Sequence, residues 1–171
     1  MRLAIIDSSP LIVLTHLQLA SKLSIFFDRI LVPRRVQEEV NRKNRFRRRL
    51  NKLFEIGLFE RCNCADQTRV RILLLGGKLG PGESEGLVQA QEKGASFFIA
   101  DETLAREQAS RQGLSAIGST RILARLSSEG YAEDVWSLVA RVRRDLRFRI
   151  DDKTVNAAIT EAALPIGIVD F

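Results

Sequence analysis

LAIID at residues 3–7 and SFFIAD at residues 96–101 are two short apolar runs, and each ends in an aspartate. Apolar runs of this length, alternating with longer segments of helical periodicity, predict buried strands in a mostly parallel sheet covered by helices. The expected fold class is therefore α/β, with three layers in the order α/β/α. The chain has 171 residues. That length suits one domain, so we expect residues 1–171 to form a single domain.

The rest of the chain continues the alternation of strands and helices. Further strands are expected at residues 29–32, 58–62 and 115–118, the last as an inner strand. Helices are expected from about Pro10, from Pro33 through a basic run, from Glu83 to near Gly94, and at 103–112, 131–146 and 151–163, with Ser119 or Thr120 capping one more. Within residues 51–80 only the 58–62 strand is proposed, and the C-terminal part at 126–171 carries little motif signal.

Composition excludes several classes of protein. No apolar run approaches the roughly 20 residues that a membrane span needs, and the interrupted apolar start is a poor signal peptide, so we expect a cytoplasmic protein without membrane contact. One histidine, His16, leaves little material for Ser–His or Cys–His catalysis. Cys62 and Cys64 are expected as reduced thiols. Any enzymatic chemistry should therefore come from carboxylates or a metal.

The positive charge is concentrated in one basic helical segment at residues 34–52. This window holds nine basic and two acidic residues, whereas the remainder of the chain is close to neutral. Such a segment is typical of a contact with a polyanion, either nucleic acid or an acidic protein partner. Phe46 lies within the run and is a candidate for stacking on a base. The candidate RNA-binding residues are Arg42, Lys43, Arg45, Arg47, Arg48 and Arg49.

Two aspartates mark the predicted site because each directly follows a buried strand. In parallel α/β sheets, ligands bind at the carboxyl ends of the strands, so Asp7 and Asp101 are expected to face one crevice. A single aspartate in such a place is more often a helix N-cap. Two of them on neighbouring strands favour a site.

Two glutamates join the aspartates by helical phase. Glu39 lies three residues beyond the apolar Val36 and beside the buried stripe, whereas Glu38 points away. Glu83 lies four residues before Leu87 on the inner side of its helix, whereas Glu85 is expected to point away. Alternatively, either glutamate can be a negative charge near the N-terminus of its helix, where it interacts favourably with the helix dipole.

Four clustered carboxylates, Asp7, Glu39, Glu83 and Asp101, repel one another unless a cation neutralises them. Hard oxygen ligands in an incomplete shell suit Mg²⁺ or Mn²⁺, and such a metal supports phosphodiester hydrolysis without a histidine base. Together with the basic segment, the carboxylates predict a metal-dependent nuclease.

Five stretches, in this order along the chain, resemble the PIN-domain family, particularly the VapC-like toxin ribonucleases and related uncharacterised prokaryotic PIN proteins. They are IIDSSPLIVL at 5–14, VPRRVQEEV at 32–40, PGESEGLVQAQEKG at 81–94, FFIADETLAR at 97–106 and LSAIGSTRILAR at 114–125. By this resemblance Asp7, Glu39, Glu83 and Asp101 fall on the family's acidic metal positions. Ser8 matches the small hydroxyl residue beside the first aspartate.

The resemblance implies a Mg²⁺- or Mn²⁺-dependent endoribonuclease that acts on RNA as a homodimer. In the toxins of type II toxin–antitoxin pairs, a small antitoxin protein covers the site. Either Asp101 or Glu102 can be the fourth metal ligand, since both align. The alternative is a non-catalytic PIN-like module that binds nucleic acid or protein and keeps its carboxylates as helix caps.

Overall fold

A central sheet of parallel strands organises the computed structural model, which describes residues 1–163. The strands are β1 (Leu3–Ile6), β2 (Arg29–Pro33), β3 (Phe59–Cys62), β4 (Phe97–Ile99) and β5 (Ser115–Ile117), in the spatial order β3-β2-β1-β4-β5. The helices are α1 (Ser8–His16), α2 (Arg34–Arg42), α3 (Asn44–Glu55), α4 (Gln67–Leu75), α5 (Pro81–Lys93), α6 (Thr103–Arg111), α7 (Ser119–Ser128), α8 (Val135–Leu146) and α9 (Asp152–Ala162), with a 3-10 helix at Ala20–Ile25. Within residues 1–163, no helix combines the length and the apolar character needed to cross a membrane.

Successive side chains of each strand point to opposite sides of the sheet. Because the side chains on both sides are apolar, helices cover both faces. Ile6 and Ile30 face a core completed by helices α1, α3, α7, α8 and α9. Ile5 and Phe98 face a second core, completed by α5 and α6. The predicted α/β/α layering with a parallel sheet is confirmed. The end of the expected domain, residues 164–171, lies outside the described residues.

The strand order reverses between β1 and β4, and this is the place where the aspartates meet. The two strands pair in register, with Ile6 opposite Ile99, and the Asp7 backbone N–H donates to the Ile99 carbonyl at 2.9 Å. Parallel pairing brings both carboxyl ends to one edge, and a reversal of strand order opens a crevice there. The sheet therefore delivers Asp7 and Asp101 to the same crevice, as the sequence predicts.

Helix α2 ends at Arg42, so the single helix expected from Pro33 through the basic run is wrong. Val36 and Val40 of α2 and Phe46 and Leu50 of α3 all reach the core. The six-residue step from Val40 to Phe46 is out of phase with one continuous helix. A break at Lys43, with φ −90° and ψ 82°, lets both apolar stripes face the sheet.

Three further expectations need correction. Strand β5 lies at the edge of the sheet rather than inside it, because the described chain beyond Ile117 turns into helices. Helix α8 begins at Val135 rather than Tyr131, since the Asp134 carboxylate accepts the Ser137 N–H at 3.0 Å and caps it there. The stretch at 51–80 also contains helix α4, which the sequence analysis did not find.

Candidate active site

Asp7 is the buried centre of the candidate site. It occupies the N-cap position of α1, yet its carboxylate makes no capping hydrogen bond, and the residue is 5% exposed. The pKa of Asp7 is raised to about 7, chiefly by burial and in smaller part by the carboxylates of Glu83, Glu39 and Asp101, while the Ser8 backbone N–H opposes the rise. Asp7 is therefore not explained as a cap, and it lies within electrostatic reach of the other three predicted acids.

Glu39 and Asp7 face the same point on the first turn of α5. A β-carbon built on Gly82 would lie 3.1 Å from Glu39 Oε1 and 3.2 Å from Asp7 Oδ1. The absence of a side chain at Gly82 therefore allows α5 to approach both carboxylates. The helical phase that selected Glu39 over Glu38 is consistent with this placement.

Glu83 brings a carboxylate with one free oxygen. Its Oε2 accepts the Gly80 backbone N–H at 2.7 Å, which closes the first turn of α5. Its Oε1 is buried without a hydrogen-bond partner among the described residues. Burial raises the pKa of Glu83, and the nearby Glu102 and Glu39 carboxylates add to the rise. An unsatisfied buried carboxylate oxygen is costly, so it marks a place where a ligand is expected.

Asp101 is held by the start of α7. Its Oδ1 accepts the Ser119 backbone N–H at 2.7 Å, and its Oδ2 accepts the Ser119 hydroxyl at 2.9 Å. Burial raises the pKa of Asp101, and these bonds partly offset the rise. Neither Ser119 nor Thr120 caps α7 with its own side chain, as had been expected, because Asp101 supplies the oxygens from the neighbouring strand.

Arg106 stands beside this aspartate without pairing with its carboxylate. The guanidinium donates to the backbone carbonyls of Ala100, at 3.2 Å, and of Asp101. Glu102 is exposed at the N-cap position of α6 and makes no capping bond. Ser8 begins α1 directly beside Asp7. Asp101 thus has a fixed orientation, whereas Glu102 lies at the rim.

The chemistry of the donors fits a hard divalent cation. Within residues 1–163, no group of three or more His, Cys, Asp or Glu side chains stands close enough to hold a metal as placed. The donors at the site are nevertheless all carboxylate oxygens, one of them buried and unpartnered, and no described Lys or Arg forms an ion pair with Asp7, Glu39 or Glu83. Carboxylate oxygens are the protein ligands that Mg²⁺ and Mn²⁺ prefer.

Glu85 is a buried acid that the sequence analysis placed wrongly. It was expected to point away from the inner face, but it is 4% exposed, and its Oε2 accepts the Arg35 backbone N–H at 2.7 Å in the first turn of α2. Helix α5 is buried at every position from Gly82 to Ala90, so Leu87 cannot define a single inner face. Glu85 ties α5 to the helix that carries Glu39.

We expect Glu85→Ala to lower the free energy of unfolding by about 1–3 kcal/mol, because it leaves a backbone N–H of α2 without its acceptor. The matched control is Glu38→Ala, which removes only the exposed ion pair with Arg34 and should cost less than about 0.5 kcal/mol. Urea unfolding of the two variants measures both changes. Equal losses would show that Glu85 does not anchor α2.

The six candidate RNA-binding residues are all exposed on the basic segment. Three have local partners: Lys43 Nζ lies 5.9 Å from the Phe148 ring centroid, Arg45 lies over the Phe46 ring, and Arg49 donates to the Thr15 carbonyl at 3.4 Å. Phe46 is 1% exposed, so its predicted stacking on a base is wrong. It instead belongs to the core, with its ring edge-on to His16.

Both cysteines are free thiols, as expected, and both are buried. The Cys62 thiol donates to Gln89 Oε1 at 2.6 Å, and burial raises the pKa of Cys62 to about 12. A thiol in this state is a poor nucleophile at neutral pH. The cysteines therefore belong to the apolar packing around α4 and α5.

The sequence also matches a known protein family. The sequence profile of a PIN-domain family matches residues 3–163. No curated protein matches the chain significantly. PIN domains are commonly nucleases and generally use divalent metal ions. Because the match covers nearly the whole chain, this protein belongs to the PIN-domain family.

Proposed function

We propose that the chain is a Mg²⁺- or Mn²⁺-dependent endoribonuclease that hydrolyses RNA phosphodiester bonds, with Asp7, Glu39, Glu83 and Asp101 as its acidic residues. One observation carries the proposal: the buried Asp7 and the half-buried Glu39 face the same point beside Gly82. In the described structure neither forms an ion pair with Lys or Arg, so the carboxylates are left for a cation. Family membership supports the same class of chemistry.

Asp7, Glu39 and Glu83 would hold the metal directly or through water. Bound Mg²⁺ or Mn²⁺ supplies positive charge for the phosphate and activates water for hydrolysis. Glu83 is prepared for this task because Gly80 fixes its Oε2 and leaves Oε1 without a partner in the described structure.

Asp101 would complete the shell in an orientation fixed by Ser119. Each of its oxygens accepts one hydrogen bond and keeps further acceptor capacity. Hydrogen-bonded carboxylates are usual among metal ligands, because the outer partner holds the ligand in place. Between the two candidates for the fourth ligand, this fixed geometry favours Asp101 over the exposed Glu102.

We further propose that the protein is the toxin of a type II toxin–antitoxin pair, acts as a homodimer in the cytoplasm, and is covered by a small antitoxin protein. The resemblance to VapC-like toxins supports these points. The exposed basic residues at 42–49 suit RNA or an acidic segment of such a partner.

A non-catalytic PIN-like module is the second candidate. It is favoured by Asp101, whose two oxygens already serve the start of α7, and by the spacing of the carboxylates as placed. In that case Asp101 would be structural, and RNA or protein binding would involve the basic segment alone. The two candidates differ in whether RNA is cut.

Incubation of the full chain with generic single-stranded RNA tests the proposal. We expect cleavage with Mg²⁺ or Mn²⁺, loss of cleavage with EDTA, and recovery when excess metal is restored. Cleavage that continues undiminished in EDTA would contradict the metal-dependent mechanism. RNA that is bound but never cut under any metal condition would support the non-catalytic module.

A further inference from the structure

A groove of about 770 Å³ opens beside the candidate site. It is formed by the first residues of α6 and α7, the connection between α8 and α9, and the inner side of α9. Asp101 and Glu102 line it, as does Ser9, two residues beyond Asp7. The groove therefore reaches the candidate site at Asp101 and Glu102, and much of its wall comes from the C-terminal part, where the sequence carries little motif signal.

Four arginines line the groove, and two of them are held by the protein itself. Arg121 pairs with Glu161 at 3.0 Å, and Arg106 donates to the carbonyls of Ala100 and Asp101. Asp151, another acid of the groove, accepts the backbone N–H and the hydroxyl of Thr154. These groups are satisfied without a ligand.

Arg147 and Arg149 are the two groove arginines whose guanidinium groups have no partner within residues 1–163. Their neighbours Phe148 and Ile150 pack against the core, and Arg143 donates to the Ile150 carbonyl at 2.9 Å. This alternation fixes the connecting segment and leaves both guanidinium groups exposed. Arg147 also has a φ of 57°, in the left-handed region, so the chain makes a tight turn at this residue directly after α8.

The basic segment reaches the same groove. Lys43, at the break between α2 and α3, lies over the ring of Phe148, which itself lines the groove between the two arginines in sequence. Lys43 thus adds a cation against the wall of the groove that Arg147 and Arg149 line, while the acids stand at the carboxyl edge of the sheet. A charged polymer could follow this path toward the carboxylates.

We propose that this groove binds the sugar–phosphate backbone of single-stranded RNA, with Arg147 and Arg149 contacting phosphates next to the bond that is cut. The inference rests on the proposed ribonuclease function and adds where the substrate lies. Guanidinium groups recognise phosphate oxygens through paired N–H donors. The pair is far in sequence from the basic segment that holds the candidate RNA-binding residues at 42–49.

Binding of a labelled single-stranded RNA of about 15 nucleotides, measured by fluorescence anisotropy in EDTA, tests this proposal. Arg147→Gln with Arg149→Gln should weaken binding about 10- to 100-fold and reduce the slope of log K against log salt by about 1.4, since each phosphate contact contributes about 0.7 on single strands. Arg147→Lys with Arg149→Lys keeps the charge and should restore most of the affinity. Arg149→Gln alone should give about half of the slope change.

The matched control is Arg111→Gln with Arg144→Gln, which removes the same charge from exposed arginines outside the groove. It should change the affinity less than about threefold. Wild-type affinity in the groove variant, or an equal loss in the control, would overturn the groove. RNA bound through Arg147 and Arg149 but never cut would uphold the groove and contradict the ribonuclease. Cleavage with an unchanged KM in the groove variant would uphold the ribonuclease and contradict the groove.

Discussion

Asp7→Asn should lower metal-dependent RNA cleavage about 1,000-fold or more while leaving the protein folded. The amide has nearly the shape of the carboxylate but cannot supply its negative charge to a cation. A loss of about 4 kcal/mol of transition-state stabilisation corresponds to this factor, and it is of the size that a metal contributes to phosphoryl chemistry. Initial rates on single-stranded RNA with Mg²⁺ or Mn²⁺ measure the effect.

Asp134→Asn is the matched control for this experiment. Asp134 caps α8 through the Ser137 N–H, and asparagine can accept the same bond, so the same change of charge is made away from the carboxylates. We expect cleavage within about twofold of the wild type, since a surface substitution of this kind has little effect. Cleavage by Asp7→Asn within about tenfold of the wild type would contradict the proposal that Asp7 holds a metal ion.

In the absence of metal, Asp7→Asn should make the protein more stable at pH 8. Burial and the neighbouring carboxylates raise the pKa of Asp7 to about 7, whereas the pKa is about 4 in the unfolded chain. The folded state therefore binds a proton that the unfolded state has released, and the stability this gives is complete below about pH 4 and lost as the pH rises through about 7. A rise of about three pKa units corresponds to a loss of at most ~4 kcal/mol of stability on charging Asp7. Asp7→Asn avoids this loss because its amide carries no charge.

Urea unfolding in EDTA at pH 5 and pH 8 measures this difference. The wild type should lose more stability between the two values than Asp7→Asn. Burial also raises the pKa of Glu83, Glu85 and Asp101, so both proteins share those contributions and only their difference reports on Asp7. A variant less stable than the wild type at pH 8 in EDTA would show that the charged Asp7 is already compensated within the protein.

The sequence could predict the strands, and the position of Asp7 and Asp101 at one edge of the sheet, because both depend on local patterns. A short apolar run followed by Asp7 or Asp101 is visible in the sequence, and parallel pairing of β1 with β4 brings their ends together. Glu39 was located because Val36 and Val40 mark a single buried face on α2. The periodicity of this helix was informative because only one of its sides is covered.

The features that the sequence did not reveal depend on packing between distant elements. Glu85 lies on a helix that is buried on all sides. Its position in the helical repeat therefore could not predict its hydrogen bond with the α2 backbone. Phe46 lies in a run of basic residues, which did not indicate burial, and the break at Lys43 orients its side chain toward the core. Arg147 and Arg149 lie beside the site because of the turn between α8 and α9, and no sequence motif predicts this turn.

Anomalous diffraction from crystals of the full chain grown with Mn²⁺ tests the carboxylate site most directly, since it locates the ion without requiring any activity. Our account places an anomalous peak among the side chains of Asp7, Glu39, Glu83 and Asp101, and no such peak in crystals of Asp7→Asn grown under the same conditions. A wild-type crystal saturated with Mn²⁺ that shows density elsewhere, and none between these carboxylates, would contradict it.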